Sequence, residues 1–197
     1  MVSPQSARYP DIRAAALELF ARLGYAATTM ADVGSAVGIR GPSLYKHVTS
    51  KQALLAQIMI ETMHELLAAH RGAVATSEDP TERLRRAVEV HVRYHARHHL
   101  EAFVGNREIR SLVEPHLSEV RELRAEYEAG FRELVRAGIE RGTFRAESAQ
   151  LASYAILDIG MGVAVWFREG TEPTEDEVVW QLGEFALRIV GADRVTR

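Results

Sequence analysis

Thr28-Thr29-Met30-Ala31-Asp32-Val33, followed by Val37-Gly38-Ile39-Arg40-Gly41-Pro42-Ser43-Leu44-Tyr45-Lys46-His47-Val48-Thr49-Ser50-Lys51, is the stretch whose reading decides the fold. Thr29 is placed to cap a short helix with Met30, Val33 and Val37 on one face, and Gly38 is a natural end for it. A third short helix follows with Ser43, Leu44 and Tyr45, and Ser50 caps a longer one. Ahead of the pair, Ile12, Ala16, Leu19, Phe20 and Leu23 recur at helical spacing and stop near Gly24. Two short helices around a tight turn, backed by a supporting helix, form a helix-turn-helix pattern. Such units also occur as plain structure, so the pattern alone leaves DNA binding open.

Working outward, helical spacing continues and no convincing period-two alternation is found. Leu55, Ile58, Met59, Met63 and Leu66 mark the fourth helix. Asp79-Pro80 reads as cap and first-turn proline for a helix to about His99. A further helix is expected over Leu100–Val113, and Pro115 opens a long one through Ile139 with Gly142 as its left-handed cap. Ser148–Arg168 follows, then a Gly-Thr-Glu-Pro break, then a Thr174-capped helix to Val190 whose Glu175, Asp176 and Glu177 complement the helix dipole. The expectation is an all-α chain of about nine helices. Residues 1–52 would form a three-helix DNA-binding domain and residues 53–197 a helical effector-binding and dimerisation domain. The fourth helix, about Ser50 to Ala69, would be shared and would carry motion between them.

Net charge is −3, but residues 1–52 carry +3 and the remainder −6. A basic head on an acidic body directs any polyanion to the head. Cysteine is absent, which removes disulfides, thiol nucleophiles and cysteine metal sites. Met1 to Tyr9 has no apolar core for a signal peptide, and the longest apolar run, Met161–Phe167, is too short for a membrane span. A cytoplasmic chain without membrane contact is expected. No nucleophile-elbow glycines, phosphate loop or close carboxylate motif organises the Ser, His and acidic residues, which speaks against an enzyme.

The stretch quoted first, with Leu19-Phe20-Ala21-Arg22-Leu23-Gly24-Tyr25 before it, closely resembles the N-terminal signature of the TetR/AcrR family of transcriptional regulators. The resemblance covers about the first third at motif level, and the remainder has the family's length and layout. It implies that Tyr45, His47 and Lys51 contact phosphates. Tyr and His donate hydrogen bonds, and Lys51 stands at a helix N-terminus whose free amides attract anions. Tyr45 has the alternative of packing only between helices. Thr29 can cap its helix and touch a phosphate as well. Base edges would be read by Arg40, Gly41, Pro42, Ser43 and Lys46. Here the chain departs from the family, with Arg40 in place of a small hydroxyl residue and with Pro42 and Val48 less usual. Arg40 takes a guanine bidentately or holds a phosphate. The resemblance implies a dimer on a near-palindromic operator, repression as the usual sign, and no cofactor.

Ser148–Arg168 is apolar on nearly all sides, so both faces must be covered: by the core on one and a second subunit on the other, or, in a monomer, by the core on both. Gly160, Gly162 and Ala164 would let another backbone approach. With the last helix, the resemblance implies a four-helix homodimer interface including Tyr154, Gly162, Trp166, Leu182, Phe185 and Ile189. His91, His95, His98 and His99 extend an inward stripe. His91 and His95 have metal-ligand spacing, but no partner motif follows and no metal site is assigned, leaving core or pocket-lining roles. Ala102–Leu112 resembles a TetR subgroup that senses acyl-CoA thioesters, as do Gly138–Arg145 and Gly162–Arg168. That implies Arg107 or Arg110 against CoA phosphates and Phe103, Tyr127 and Trp166 near the acyl chain, with His91 and His95 as further pocket candidates. The arginines have the alternative of solvated surface or pairing with Glu108 and Glu114. A multidrug or antibiotic sensor of the same fold, and more remotely a helical enzyme or adaptor, are the competing functions.

Overall fold

The computed structural model describes residues 8–192, so the first seven residues of the stretch read for a signal sequence lie outside it. Among the described residues are nine α-helices and no strand. They are α1 (Tyr9–Leu23), α2 (Met30–Ala36), α3 (Gly41–Leu44), α4 (Lys51–Val74), α5 (Pro80–Arg97), α6 (His99–Glu108), α7 (His116–Glu140), α8 (Ala149–Trp166) and α9 (Glu175–Ile189). A single 3₁₀ turn, Ile109–Ser111, separates α6 from α7.

The helix starts follow local chemistry. Thr29 and Asp32 form a reciprocal capping box on α2, and Thr174 and Glu177 form another on α9. Asp79 accepts from the Glu82 amide at 2.9 Å, and Ser50 and Ser148 cap α4 and α8. Gly38 and Gly142 adopt φ of 67° and 72°, where a Cβ would be strained. Two ends differ from expectation. Helix α6 stops at Glu108 rather than continuing to Val113, and α3 is one turn that ends at Leu44.

The described residues pack into two compact units: residues 8–62 with 100–122, and residues 63–99 with 123–192. Helices α4 and α7 each run from one set of residues into the other. In the first unit, Ile12, Phe20, Val33, Leu44, Leu54, Leu55 and Ile58 are buried together with Val104, Leu112 and Val120. In the second, α5 packs against α8 and α9, and Leu84, Val88, Val92, Phe131, Val135, Ile156 and Val163 form the core. Each fully buried side chain of this kind contributes about 1.5–3 kcal/mol.

Helix α8 has two faces. Ile156, Gly160 and Val163 enter the core, while Leu151 and Val165 are 68% and 73% exposed. By length and composition alone it matches a membrane span, which the shorter run Met161–Phe167 did not reveal; the core helix of a soluble protein passes the same test.

Close packing makes two helical glycines behave oppositely. A Cβ at Gly138 would lie 2.0 Å from the ring of buried Phe144, whereas a Cβ at Gly72 meets nothing within 4 Å. Gly138→Ala is expected to destabilise by about 1–3 kcal/mol through overpacking. Gly72→Ala should stabilise by about 0.5–1 kcal/mol through helix propensity. Urea unfolding of the full chain followed by circular dichroism checks both signs.

Candidate functional site

Helix α3 presents a polar face because its apolar residues are anchored. Leu44 is fully buried and Val48 nearly so, leaving Arg40, Gly41, Pro42, Ser43, Tyr45 and Lys46 exposed and His47 half-buried. Tyr45 is 52% exposed, so its ring is not merely packed between helices. The turn into α3 is drawn tight by the Ile39 amide, which donates to the Gly34 carbonyl at 2.8 Å. A Cβ on Gly34 would come within 2.7 Å of the Ile39 carbonyl oxygen. Gly34 is therefore as necessary to the turn as Gly38. A glycine four residues before Gly38 was the available signal, and sequence reading passed over it.

Exposed Thr29 is the cap of α2. Its hydroxyl accepts from the Asp32 amide at 3.1 Å and also lies 2.7 Å from the Asp32 carboxylate. That hydroxyl, followed by the Thr29 amide, holds the Asp32 carboxyl below its usual range.

Lys51 has a different setting. Its ammonium donates to the carbonyls of Tyr25 (2.8 Å), Thr28 (2.7 Å) and Ala26 (3.5 Å), and sits 4.2 Å from the Tyr25 ring centroid. Tyr25 is held elsewhere as well. Its amide donates to the buried carboxylate of Glu108 at 3.3 Å, and its hydroxyl accepts from Gln52 at 2.8 Å. Gln52 also donates to the Ser111 carbonyl and accepts from the Val113 amide. Gln52 was not singled out from sequence, and the contact of Tyr25 with Glu108 was not foreseen, since partners 83 positions apart leave no local trace.

In the second unit His91 and His95 are buried, and their hydrogen bonds define their tautomers. His91 Nε2 lies 3.1 Å from the Leu157 carbonyl oxygen, which can only accept, so Nε2 carries the proton. His91 Nδ1 then accepts from the Tyr127 hydroxyl at 3.0 Å. His95 Nδ1 in turn donates to the His91 carbonyl at 2.8 Å. The rings are seated on glycines: a Cβ at Gly160 would lie 2.2 Å from His91, and one at Gly130 would lie 2.8 Å from His70. His70 belongs to this cluster, edge-on to Tyr127 and tilted against Phe131, and was not anticipated. His98 stacks on Tyr94 and His99 is exposed, so the inward stripe ends at His95. Among the described residues no three His, Asp or Glu side chains are grouped to hold a metal.

The structure brings His91, His95 and Tyr127 into one cluster. It also places the Arg107 guanidinium 5.5 Å from the Phe103 ring centroid. Phe103, Arg107 and Arg110 are exposed residues of the first unit, whereas His91, His95, Tyr127 and Trp166 belong to the second. Tyr154, Trp166 and Phe185 are exposed apolar groups on α8 and α9, and Gly162 has open space beyond its Cα. Leu182 and Ile189 line a shallow hollow with Val88, Val92, Ile156 and Gly160, too narrow to admit water.

Residues 12–58 match the model for bacterial regulatory proteins of the tetR family, and residues 77–190 match that for the tetracyclin repressor-like C-terminal domain. The chain belongs to the TetR family of transcriptional regulators. Members of this family are DNA-binding proteins rather than enzymes, and the exposed recognition helix is the feature expected of one. The chain is 28% identical to the transcriptional repressor KstR2 of Rhodococcus jostii over 181 residues, covering 91% of this chain and 89% of that one. A tetR-family regulatory protein from Rhodococcus RHA1 superposes with a TM-score of 0.89 at 31% identity, over 98% of this chain and all of its own. The ketosteroid transcriptional regulator KstR2 of Mycobacterium tuberculosis gives 0.86 at 25% identity, over 95% and 96% of the two chains.

The buried imidazoles carry a pH prediction. Burial, followed by neighbouring cations, pushes His70 down to about 4, and burial also depresses His91 and His95 below 6.5. Below about 6.5 the unfolded chain takes protons that the folded chain refuses, so stability falls as pH drops and goes on falling towards the folded-state values. Urea midpoints read by tryptophan emission from about pH 8 to 5 should decline below about 6.5, and His70→Gln should flatten part of that decline. A midpoint independent of pH across that range would contradict the neutral, buried assignment.

Proposed function

We propose that this protein is a ligand-responsive repressor that binds a near-palindromic operator as a homodimer and is released by a small hydrophobic effector. The observation that carries the reading is the one-turn helix α3, with Leu44 and Val48 buried behind it and Arg40 to Ser43, Tyr45 and Lys46 facing out. In this reading Tyr45, His47 and Thr29 contact phosphates, while Arg40, Gly41, Pro42, Ser43 and Lys46 meet base edges. Lys51 supports this surface from behind, its ammonium turned to the Tyr25, Ala26 and Thr28 carbonyls.

Pairing of two copies is supported by the apolar outer face of α8 and α9. Tyr154, Trp166 and Phe185 stand out from it, Gly162 permits close approach, and Leu182 and Ile189 flank it. A patch this apolar is not normally left to water. One state of the dimer would space the recognition helices to match successive major grooves, and the effector would favour another spacing. Such a regulator acts in the cytoplasm, where the chromosome lies.

For the effector we propose an acyl-CoA thioester. The Ala102–Leu112 stretch supports this by its resemblance to acyl-CoA sensors, with Phe103 for the apolar part and Arg107 and Arg110 available for phosphates. The similarity to a ketosteroid regulator supports an apolar effector in general.

Arg40→Ala should change sequence preference in a selection from random duplexes, while Tyr45→Phe should weaken all sites alike. An equal loss across all sequences for Arg40→Ala would sink base reading by that residue. Thermal unfolding against free CoA, a ladder of acyl-CoAs and unrelated hydrophobic drugs tests the effector. A ligand at about 100 times its dissociation constant stabilises by about 2.7 kcal/mol. A shift confined to acyl-CoAs supports the thioester, and a shift with drugs alone replaces it by a multidrug sensor.

A further inference from the structure

All four handles of Tyr25 are held, and its holders come from two distant parts of the chain. The carbonyl and ring face belong to Lys51, the hydroxyl to Gln52, and the amide to Glu108. Tyr25 opens the stretch between α1 and α2, where backbone groups have no helix to satisfy them. The Lys51 ammonium has three protons, and three carbonyls of this stretch lie within reach of it. Glu108 is 6% exposed, and its second oxygen accepts from the Ser111 hydroxyl at 2.9 Å. A buried carboxylate is expensive unless its oxygens are matched in this way.

Glu108 does not act alone. Glu101, two helical turns earlier on α6, accepts from Arg13 of α1 at 3.1 Å, and Val104 between them is fully buried. Arg13 also binds Glu61 of α4. Helix α6 is thus clasped to α1 by one carboxylate near its start and to the turn after α1 by another at its end. The second clasp falls on the turn that leads directly into the Thr29 cap of the helix-turn-helix.

Resting on the DNA-binding reading above, we infer that Tyr25 is the joint through which residues 100–122 hold the helix-turn-helix in its DNA-reading posture. Lys51 serves DNA binding from behind, by bracing this joint rather than by touching a phosphate. To reach a phosphate the ammonium would have to abandon three carbonyls and a ring face. Glu108 and Lys51 are positioning residues, and any displacement of the α6 end is delivered to Thr28 and Thr29 through Tyr25.

Salt dependence separates bracing from phosphate contact, because each neutralised phosphate contributes about one unit to the slope of log affinity against log salt. The experiment uses the full chain, a mixed-sequence duplex over a salt series, and hydrogen exchange at the Tyr25 and Thr28 amides. Trp166 and Trp180 both lie in the second unit and report its integrity independently. Lys51→Met is expected to weaken duplex binding about tenfold with an unchanged slope, and to lose amide protection. Glu108→Ala should do the same, while Glu108→Gln, which keeps an acceptor, should retain protection and most of the affinity. A slope lower by about one for Lys51→Met with protection intact would return Lys51 to the phosphate backbone and overturn the proposal. Unchanged protection in Glu108→Ala would overturn the joint. Failure of the wild type to bind any duplex would refute the DNA-binding reading itself, and the exchange arm would still decide the joint.

Discussion

Helix α3 is a single turn, and a single turn does not hold its own shape in water, because nucleation fixes several dihedral angles for one hydrogen bond. It exists because Leu44 and Val48 are driven into the core formed by Ile12, Phe20, Val33, Leu54 and Leu55. That burial orients everything else on the turn. With the apolar side chains pointing inward, Arg40, Ser43, Tyr45 and Lys46 have nowhere to go but outward, and the surface proposed to meet DNA follows from the position of the core. The backing of this core includes Val104, Leu112 and Val120, so the recognition surface depends on residues far beyond the helix-turn-helix itself.

Polar groups are used differently in the two units. Around Tyr25, charged groups are brought into a turn whose backbone would otherwise lack partners, and the ammonium and carboxylate find matched acceptors and donors there. In the second unit the polar groups are imidazoles kept neutral by burial, packed tilted or edge-on against Tyr127 and Phe131 and seated on Gly130 and Gly160. The helical glycines there are volume devices, since any Cβ would occupy space the rings already fill. Such a core is specific in shape and sensitive to acid, two properties that a purely aliphatic core would not share.

Local chemistry accounts for which features were legible. Thr29 with Asp32, Thr174 with Glu177, and Asp79 with Pro80 act within one turn of their own backbone, so their spacing announces helix starts directly. The apolar faces of α1 and α2 and the outward residues of α3 followed from periodicity and from the resemblance to the TetR family. The end of α6 did not: its last residue, Glu108, accepts from the Tyr25 amide, 83 residues earlier, a partner that no local spacing announces. Nor did the role of His70, whose environment is assembled from α4 and α7.

By itself, the sequence determined an all-helical chain with a basic head and the helix starts marked by Thr29, Ser50, Asp79, Ser148 and Thr174, since capping and amphipathic spacing act over a few residues. Only the tertiary structure decided that residues 100–122 pack with the N-terminal helices, that the Lys51 ammonium faces carbonyls of its own chain, and that three histidines are buried in one aromatic cluster. Those outcomes depend on which distant groups burial brings within hydrogen-bond reach. No spacing along the chain encodes that by itself.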